Sequence, residues 1–153
     1  MMYQKQLKIC IACSSGGHYR EAVTATQSLS GDKYFVTFRT QHISEQARKN
    51  RFYFVTHCKR NIFKVIHNAV QSYRILRKEK PDVIISTGAD VAVPTCILGK
   101  IMGIKLIFIE SGGQVYTPSL SGRIVYPFAD LFIVQWKPAL KNFPMAKYGG
   151  VLF

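Results

Sequence analysis

Ser14-Ser15-Gly16-Gly17-His18 is the stretch from which the fold can be read outward. It follows an apolar run, Leu7 to Cys13, with the composition of a buried strand. It precedes Tyr19 to Leu29, where Tyr19, Ala22, Val23, Thr26 and Leu29 recur on one helical face. A strand, a turn of small residues and a helix N-terminus together form an anion site. Glycine lets a ligand approach the backbone, and the first free N–H groups of the helix point towards it. His18 adds a titratable group at that mouth. The same five residues also suit a tight turn that needs glycine for its own geometry, so the rest of the chain must decide.

Apolar, β-branched runs alternate with helical patterns along the chain. Strands are expected at Leu7–Cys13, Tyr34–Phe38, Phe52–Thr56, Asp82–Ser86, Lys105–Ile109 and Leu131–Gln135, and helices near 19–29, 43–50, 61–79, 91–102 and 119–128. Val83-Ile84-Ile85 and Leu106-Ile107-Phe108-Ile109 are apolar on both faces, as buried parallel strands are. The pattern predicts an α/β fold with an open, Rossmann-like parallel sheet, residues 1–153 forming one domain. Ligands of such sheets sit beyond the carboxyl ends of the strands. Gly88 and Asp90 after the fourth strand, and Glu110 and Ser111 after the fifth, are therefore candidate substrate-binding residues with Ser14, Ser15, Gly16 and Gly17. Asp90 also suits the N-cap of the following helix. Glu110 suits either a substrate hydroxyl or a structural hydrogen bond.

Composition narrows the partners. The 153 residues carry 21 Lys and Arg against 8 Asp and Glu, a net +13 that calls for an anionic partner. Between Arg39 and Lys80 eleven cations face two glutamates, so +9 of that charge lies in about a quarter of the chain. Within it, the helix at 61–79 shows an apolar stripe of Ile62, Val65, Ile66, Ala69, Tyr73 and Leu76, expected to face the core. Arg60, Lys64, Arg74 and Lys78 lie opposite and are expected to face an anionic membrane surface. Cys10 and Cys13 form a C-x-x-C on a strand, where residues three apart point to opposite faces, and no second pair completes a zinc site. Neither a metal nor a cofactor is expected. The first strand is not followed by G-x-G-x-x-G, and the second ends Phe38-Arg39-Thr40 without an acid, which argues against a nicotinamide dehydrogenase. An RNA-binding domain rests on charge alone, with no RNP-type aromatic sheet or helix-turn-helix pattern, so nucleic acid is not an expected partner. The segment Met1–Lys8 is polar and reads as no signal peptide.

Four segments resemble a known family: Cys13-Ser14-Ser15-Gly16-Gly17-His18, the run from Pro81 to Pro94, Ile107-Phe108-Ile109-Glu110-Ser111, and the run from Gly122 to Trp136. They resemble the bacterial capsular and exopolysaccharide proteins called PssD or CpsF. These in turn are similar to the membrane-recruiting subunit of the dolichol-pathway N-acetylglucosaminyltransferase and, more distantly, to MurG. The resemblance implies the acceptor-side, N-terminal half of a GT-B glycosyltransferase, active only with a separate partner polypeptide that binds the UDP-sugar. The implied reaction moves glucose or N-acetylglucosamine to a lipid-pyrophosphate-linked sugar at the inner face of the plasma membrane. His18 is then the candidate general base, or a residue that positions substrate, with Glu110 and Ser111 orienting sugar hydroxyls. A non-catalytic scaffold that tethers the partner to the bilayer is the competing expectation. Val151, Leu152 and Phe153 are expected to dock on the partner, or else Val151 and Leu152 fold back over this chain's own sheet.

Overall fold

The computed structural model describes residues 6–152. Seven strands form one all-parallel sheet: β1 Lys8–Cys13, β2 Asp32–Thr37, β3 Phe52–Phe54, β4 Val83–Gly88, β5 Lys105–Ile109, β6 Leu131–Val134 and β7 Lys147–Tyr148. Their order is β3-β2-β1-β4-β5-β6-β7. Five α-helices connect them: α1 Gly17–Thr26, α2 Gln41–Gln46, α3 Ile62–Glu79, α4 Val93–Ile101 and α5 Leu120–Val125. All six expected strands and five expected helices form. The addition is β7, whose two residues are too short to carry any periodicity.

Strand alternation divides the core between two faces. Cys10, Ala12, Tyr34, Ile84, Leu106 and Phe108 point to the side packed with α3, α4 and α5. Ile9, Ile11, Cys13, Phe35, Ile85 and Ile109 point to the side packed with Tyr19 and Ala22 of α1 and Ile43 of α2. Cys10 and Cys13 thus lie on opposite faces, and all four cysteines are free and buried. Burial pushes the thiols of Cys13 and Cys96 up to about 12.

The β1–β4 pairing is not regular to its end. Ala12 lies opposite Ser86, but Cys13 lies opposite Gly88, so Thr87 is an extra residue on β4. Opening the ladder at this point releases the Thr87 carbonyl for another partner.

Helix α3 departs from expectation in rotation, not in extent. Of the stripe expected to face the core, only Leu76 is fully buried, with Val65 and Ala69 intermediate. Ile62 (64% exposed), Ile66 (55%) and Tyr73 face outward beside Phe63 (78%) and Val70. Asn68, Ser72, Ile75, Leu76 and Glu79 face inward instead. The cause is the backbone that α3 covers. Asn68 Nδ2 donates to the carbonyls of Thr56 (2.8 Å) and Val91 (3.1 Å), and Gln71 Oε1 accepts from Thr56 N (2.7 Å). Ser72 completes the network with Asn68 and Thr95. Leaving such loop groups buried without partners costs about 1–3 kcal/mol each, which outweighs the preference of a few side chains for either face.

Glu79 closes the other end of α3. Its carboxylate accepts from Tyr53 Oη, Lys8 Nζ (3.2 Å) and Arg51 (3.3 Å). Burial would raise the Glu79 pKa, but these hydrogen bonds and the Arg51 and Lys8 charges outweigh it and hold it below the usual carboxylate value. A depressed carboxylate contributes stability that is complete above its unfolded pKa, about 4.3, and is lost as pH falls through the folded value. Glu79→Gln is expected to lower the melting temperature at pH 7. It should also flatten the fall in melting temperature between pH 5 and pH 3, as followed by circular dichroism.

Candidate functional site

The carboxyl ends of β1, β4 and β5 lie side by side, and their loops form a crest. Gly16 stands at φ +77° as the N-cap of α1, a conformation that favours glycine. Gly17 has no positive φ, and a Cβ added to it would meet nothing within 4 Å. The turn's own geometry therefore explains Gly16 but not Gly17, whose missing side chain leaves open space over the first N–H groups of α1.

His18 follows directly. Its Nδ1 lies 2.7 Å from the Thr87 carbonyl released by the bulge, and Thr87 Oγ1 donates to the His18 carbonyl at 2.7 Å. A carbonyl only accepts, so Nδ1 carries the proton and Nε2 of the neutral ring is left as the acceptor. The Glu21 carboxylate lies close by, with Oε2 3.9 Å from Nδ1. Glu21 is buried. Its Oε1 accepts from Gly112 N (2.7 Å) and Gln135 Nε2 (3.2 Å), while its Oε2 has no hydrogen-bond partner.

The remaining expected residues fare differently. Ser111 joins His18 and Asp90 on the lining of one cavity of about 740 Å³. Asp90 is not the cap of α4, which starts from Ala92. It holds the preceding loop, with Oδ2 accepting from Lys59 N (2.9 Å) and Oδ1 3.3 Å from His57 Nε2. Lys59 and Arg60 both take positive φ in that loop. Gly88 is buried at φ +95°, and a Cβ there would press on Ser121 and Phe108, so it makes room for neighbours and does not face a ligand. Glu110 is also turned inward at 1% exposure, and its carboxylate accepts from Ser111 N (3.0 Å) and Ser119 N (3.3 Å). It ties together the two ends of loop 111–119 and has no free face for a sugar hydroxyl. Ser14 and Ser15 are half-buried beside the α1 turn, with Ser14 Oγ donating to the Ser15 carbonyl.

Leu152, expected at a partner, folds back onto the α1 side of the sheet. Its N–H donates to Gln135 Oε1 at 3.0 Å. Val151 remains exposed, and Phe153 lies outside the described residues. The sequence reading missed Glu21 and Gln135. Gln135 closes the apolar run Leu131–Val134, which was a signal for it, whereas Glu21 stands beside the apolar stripe of its helix and gave none.

The profile described as "Oligosaccharide biosynthesis protein Alg14 like" matches residues 47–152, more than half of the chain. This chain belongs to the Alg14-like family. Across 96% of its length it is 30% identical to the human UDP-N-acetylglucosamine transferase subunit ALG14, covering 83% of that protein. Another relative is the UDP-N-acetylglucosamine--N-acetylmuramyl-(pentapeptide) pyrophosphoryl-undecaprenol N-acetylglucosamine transferase of Oceanobacillus iheyensis. It is 34% identical over 56% of this chain and 23% of its own length. Among solved structures, Acinetobacter baumannii MurG superposes with a TM-score of 0.72 at 15% identity, over 86% of this Alg14-like chain and 42% of MurG. The Rickettsia bellii UDP-N-acetylglucosamine 2-epimerase gives 0.77 at 14% identity, over 96% and 45%. Both likenesses establish the fold alone, an open Rossmann-like parallel sheet, and nothing of the chemistry. The Alg14-like chain spans less than half the length of either structure.

Gly17 provides the test of the α1 turn. Gly17→Ala is expected to fold with an unchanged or slightly raised melting temperature, since alanine gains about 0.5–1 kcal/mol over glycine inside a helix. If the open space admits phosphate oxygens, this variant loses affinity for inorganic phosphate in calorimetry on the full chain. Unchanged affinity would leave the turn with a structural role only.

Proposed function

We propose that this chain is the acceptor-side, N-terminal-type half of a GT-B glycosyltransferase shared between two polypeptides. It works with a partner that binds the UDP-sugar and extends a lipid-pyrophosphate-linked sugar by one N-acetylglucosamine or glucose. The pathway is the assembly of a capsular or exopolysaccharide, as in the PssD/CpsF proteins. The observation that carries the reading is that two features border one cavity. On one side stands His18 with its proton fixed on Nδ1, and on the other α3 turns an apolar arc outward.

In this reading the Gly16–Gly17 turn holds phosphate oxygens with backbone N–H groups, next to Ser14 and Ser15. His18 Nε2 accepts the proton of the acceptor hydroxyl as it attacks the sugar's anomeric carbon, and Ser111 orients that acceptor. UDP leaves as the bond to the anomeric carbon breaks, within the partner's site. No metal or cofactor is assigned a part. Exposed Val151, followed by Phe153, supplies the surface against the partner.

Helix α3 provides the membrane contact on the inner face of the plasma membrane. Ile62, Phe63, Ile66, Val70 and Tyr73 form the apolar arc; Lys64, Arg74 and Lys78 border it on one side and Arg60 stands at its start, all exposed. Among the described residues no helix is long and apolar enough to cross a membrane, so contact by a helix lying in the interface fits this chain.

His18→Ala in the reconstituted pair is expected to cut transfer by ~10²–10⁴-fold while complex formation and membrane binding persist. Unchanged turnover would favour a scaffold that only tethers the partner. For the membrane, Phe63→Asp with Ile66→Asp is expected to abolish sedimentation with phosphatidylglycerol vesicles at low salt without lowering the melting temperature, because both side chains are exposed. Reversing Arg60, Lys64, Arg74 and Lys78 to glutamate should remove the salt-sensitive share, about 1 kcal/mol per cation. Undiminished sedimentation in both variants would exclude α3.

A further inference from the structure

The cavity beside His18 has two kinds of lining, and they come from different elements. His18 comes from the first turn of α1, and Ser111, Gln114, Ser119 and Ser121 come from the loop after β5 and the first turn of α5. Ile62 and Val65 of α3, Val93 and Pro94 of α4, and Leu120 and Ile124 of α5 supply the apolar part. Helix α4 packs against both α3 and α5, so it forms the floor between two walls. A volume of about 740 Å³ exceeds what one sugar ring fills and lies within the usual range for small-molecule sites, about 300–1,000 Å³.

A sugar gains little from six aliphatic side chains, since its hydroxyls would lose water without finding partners there. No Phe, Tyr or Trp lines the cavity among the described residues, so nothing offers a flat face for a sugar ring. Branched aliphatic walls instead match a branched hydrocarbon chain, whose burial releases water from both surfaces. Ile62 belongs both to this wall and to the outward arc of α3, so the cavity and the proposed membrane face are continuous. A chain leaving the bilayer at α3 reaches the cavity without crossing water. At the rim Arg60 offers a cation to phosphate, while the lining's one carboxylate, Asp90, is engaged by Lys59 N and His57.

We propose that the cavity between α3, α4 and α5 binds the first isoprene units of the lipid-linked acceptor, leaving its pyrophosphate at Arg60. This rests on the reading of the chain as an acceptor-side subunit. The prenyl chain is then a recognised part of the substrate and not merely its tether to the bilayer.

Calorimetry on the full chain, comparing pyrophosphate, geranyl, farnesyl and geranylgeranyl pyrophosphate and a linear alkyl pyrophosphate, tests the assignment. Affinity should rise with each isoprene unit and level off once the cavity is filled, with the linear chain at least tenfold weaker than farnesyl. Ile124→Asp should weaken farnesyl pyrophosphate at least tenfold while leaving pyrophosphate binding and vesicle sedimentation unchanged. Leu120→Asp, at a more exposed position, is the second variant should the first fail to fold. A farnesyl pyrophosphate with a diazirine on its first isoprene unit should label Val65, Val93 or Ile124. Equal binding of pyrophosphate and prenyl pyrophosphates, equal binding of linear and prenyl chains, or labelling confined to Phe63 and Val70 would each overturn the proposal. The subunit reading is judged separately, by sugar transfer in the reconstituted pair. Transfer without prenyl binding ends this inference alone, whereas prenyl binding without transfer to any acceptor ends the subunit reading.

Discussion

The one-residue slip of β4 against β1 at Thr87 governs the arrangement of the crest. In a regular parallel ladder backbone carbonyls are committed to neighbouring strands. The extra residue leaves the Thr87 carbonyl and hydroxyl facing α1, and both are taken by His18, one by its ring and one by its backbone. Strand β4, the turn at Gly16 and the tautomer of His18 are thereby fixed together. Gly88, buried at positive φ directly after Thr87, lets the chain turn beneath the imidazole without pressing on Phe108 or Ser121. A histidine free to rotate at the mouth of the cavity would be a poor acceptor of a specified proton, because either nitrogen could carry the hydrogen.

Much of this fold is visible in the residue pattern, because parallel strands buried on both faces and glycine turns at their carboxyl ends leave plain marks. The site was less legible. Glu110 at a strand's end beside two glycines looks like a ligand residue, yet its carboxylate serves two backbone N–H groups of its own loop. A sequence cannot distinguish an acid that faces a cleft from one that shapes its rim. Helix α3 misled for another reason. Most of its apolar residues do lie along one side, though Ile75 and Leu76 reach the core, and periodicity reports that side without saying whether protein or solvent lies beyond it. The decisive residues were polar ones, Asn68 and Ser72, which the loop at Thr56 and the backbone at Val91 draw inward. An amphipathic helix whose polar side satisfies buried backbone turns its apolar side outward.

That inversion connects the charge pattern with the site. Several of the cations between Arg39 and Lys80 border the apolar arc of α3, which meets the cavity lined by His18 at Ile62. Aromatic neighbours fix some of them, as Lys78 Nζ lies 5.4 Å from the Tyr53 ring centroid and Arg39 lies 4.2 Å from that of Phe54. Low exposure of the Glu79 carboxylate, shared by Tyr53, Lys8 and Arg51, anchors the far end of the same helix to the sheet.

Gln135 ties distant parts of the chain through one amide. Its nitrogen donates to Glu21 and to the Glu110 carbonyl, which fixes its orientation, and its oxygen accepts the N–H of Leu152. An amide held from the nitrogen side cannot flip to suit a shifted tail. Lifting Leu152 away would strand a buried oxygen, at about 1–3 kcal/mol, in a side chain that also steadies Glu21 and therefore α1. Position 152 is thus tied, through one amide and the Glu21 carboxylate, to the helix that carries His18.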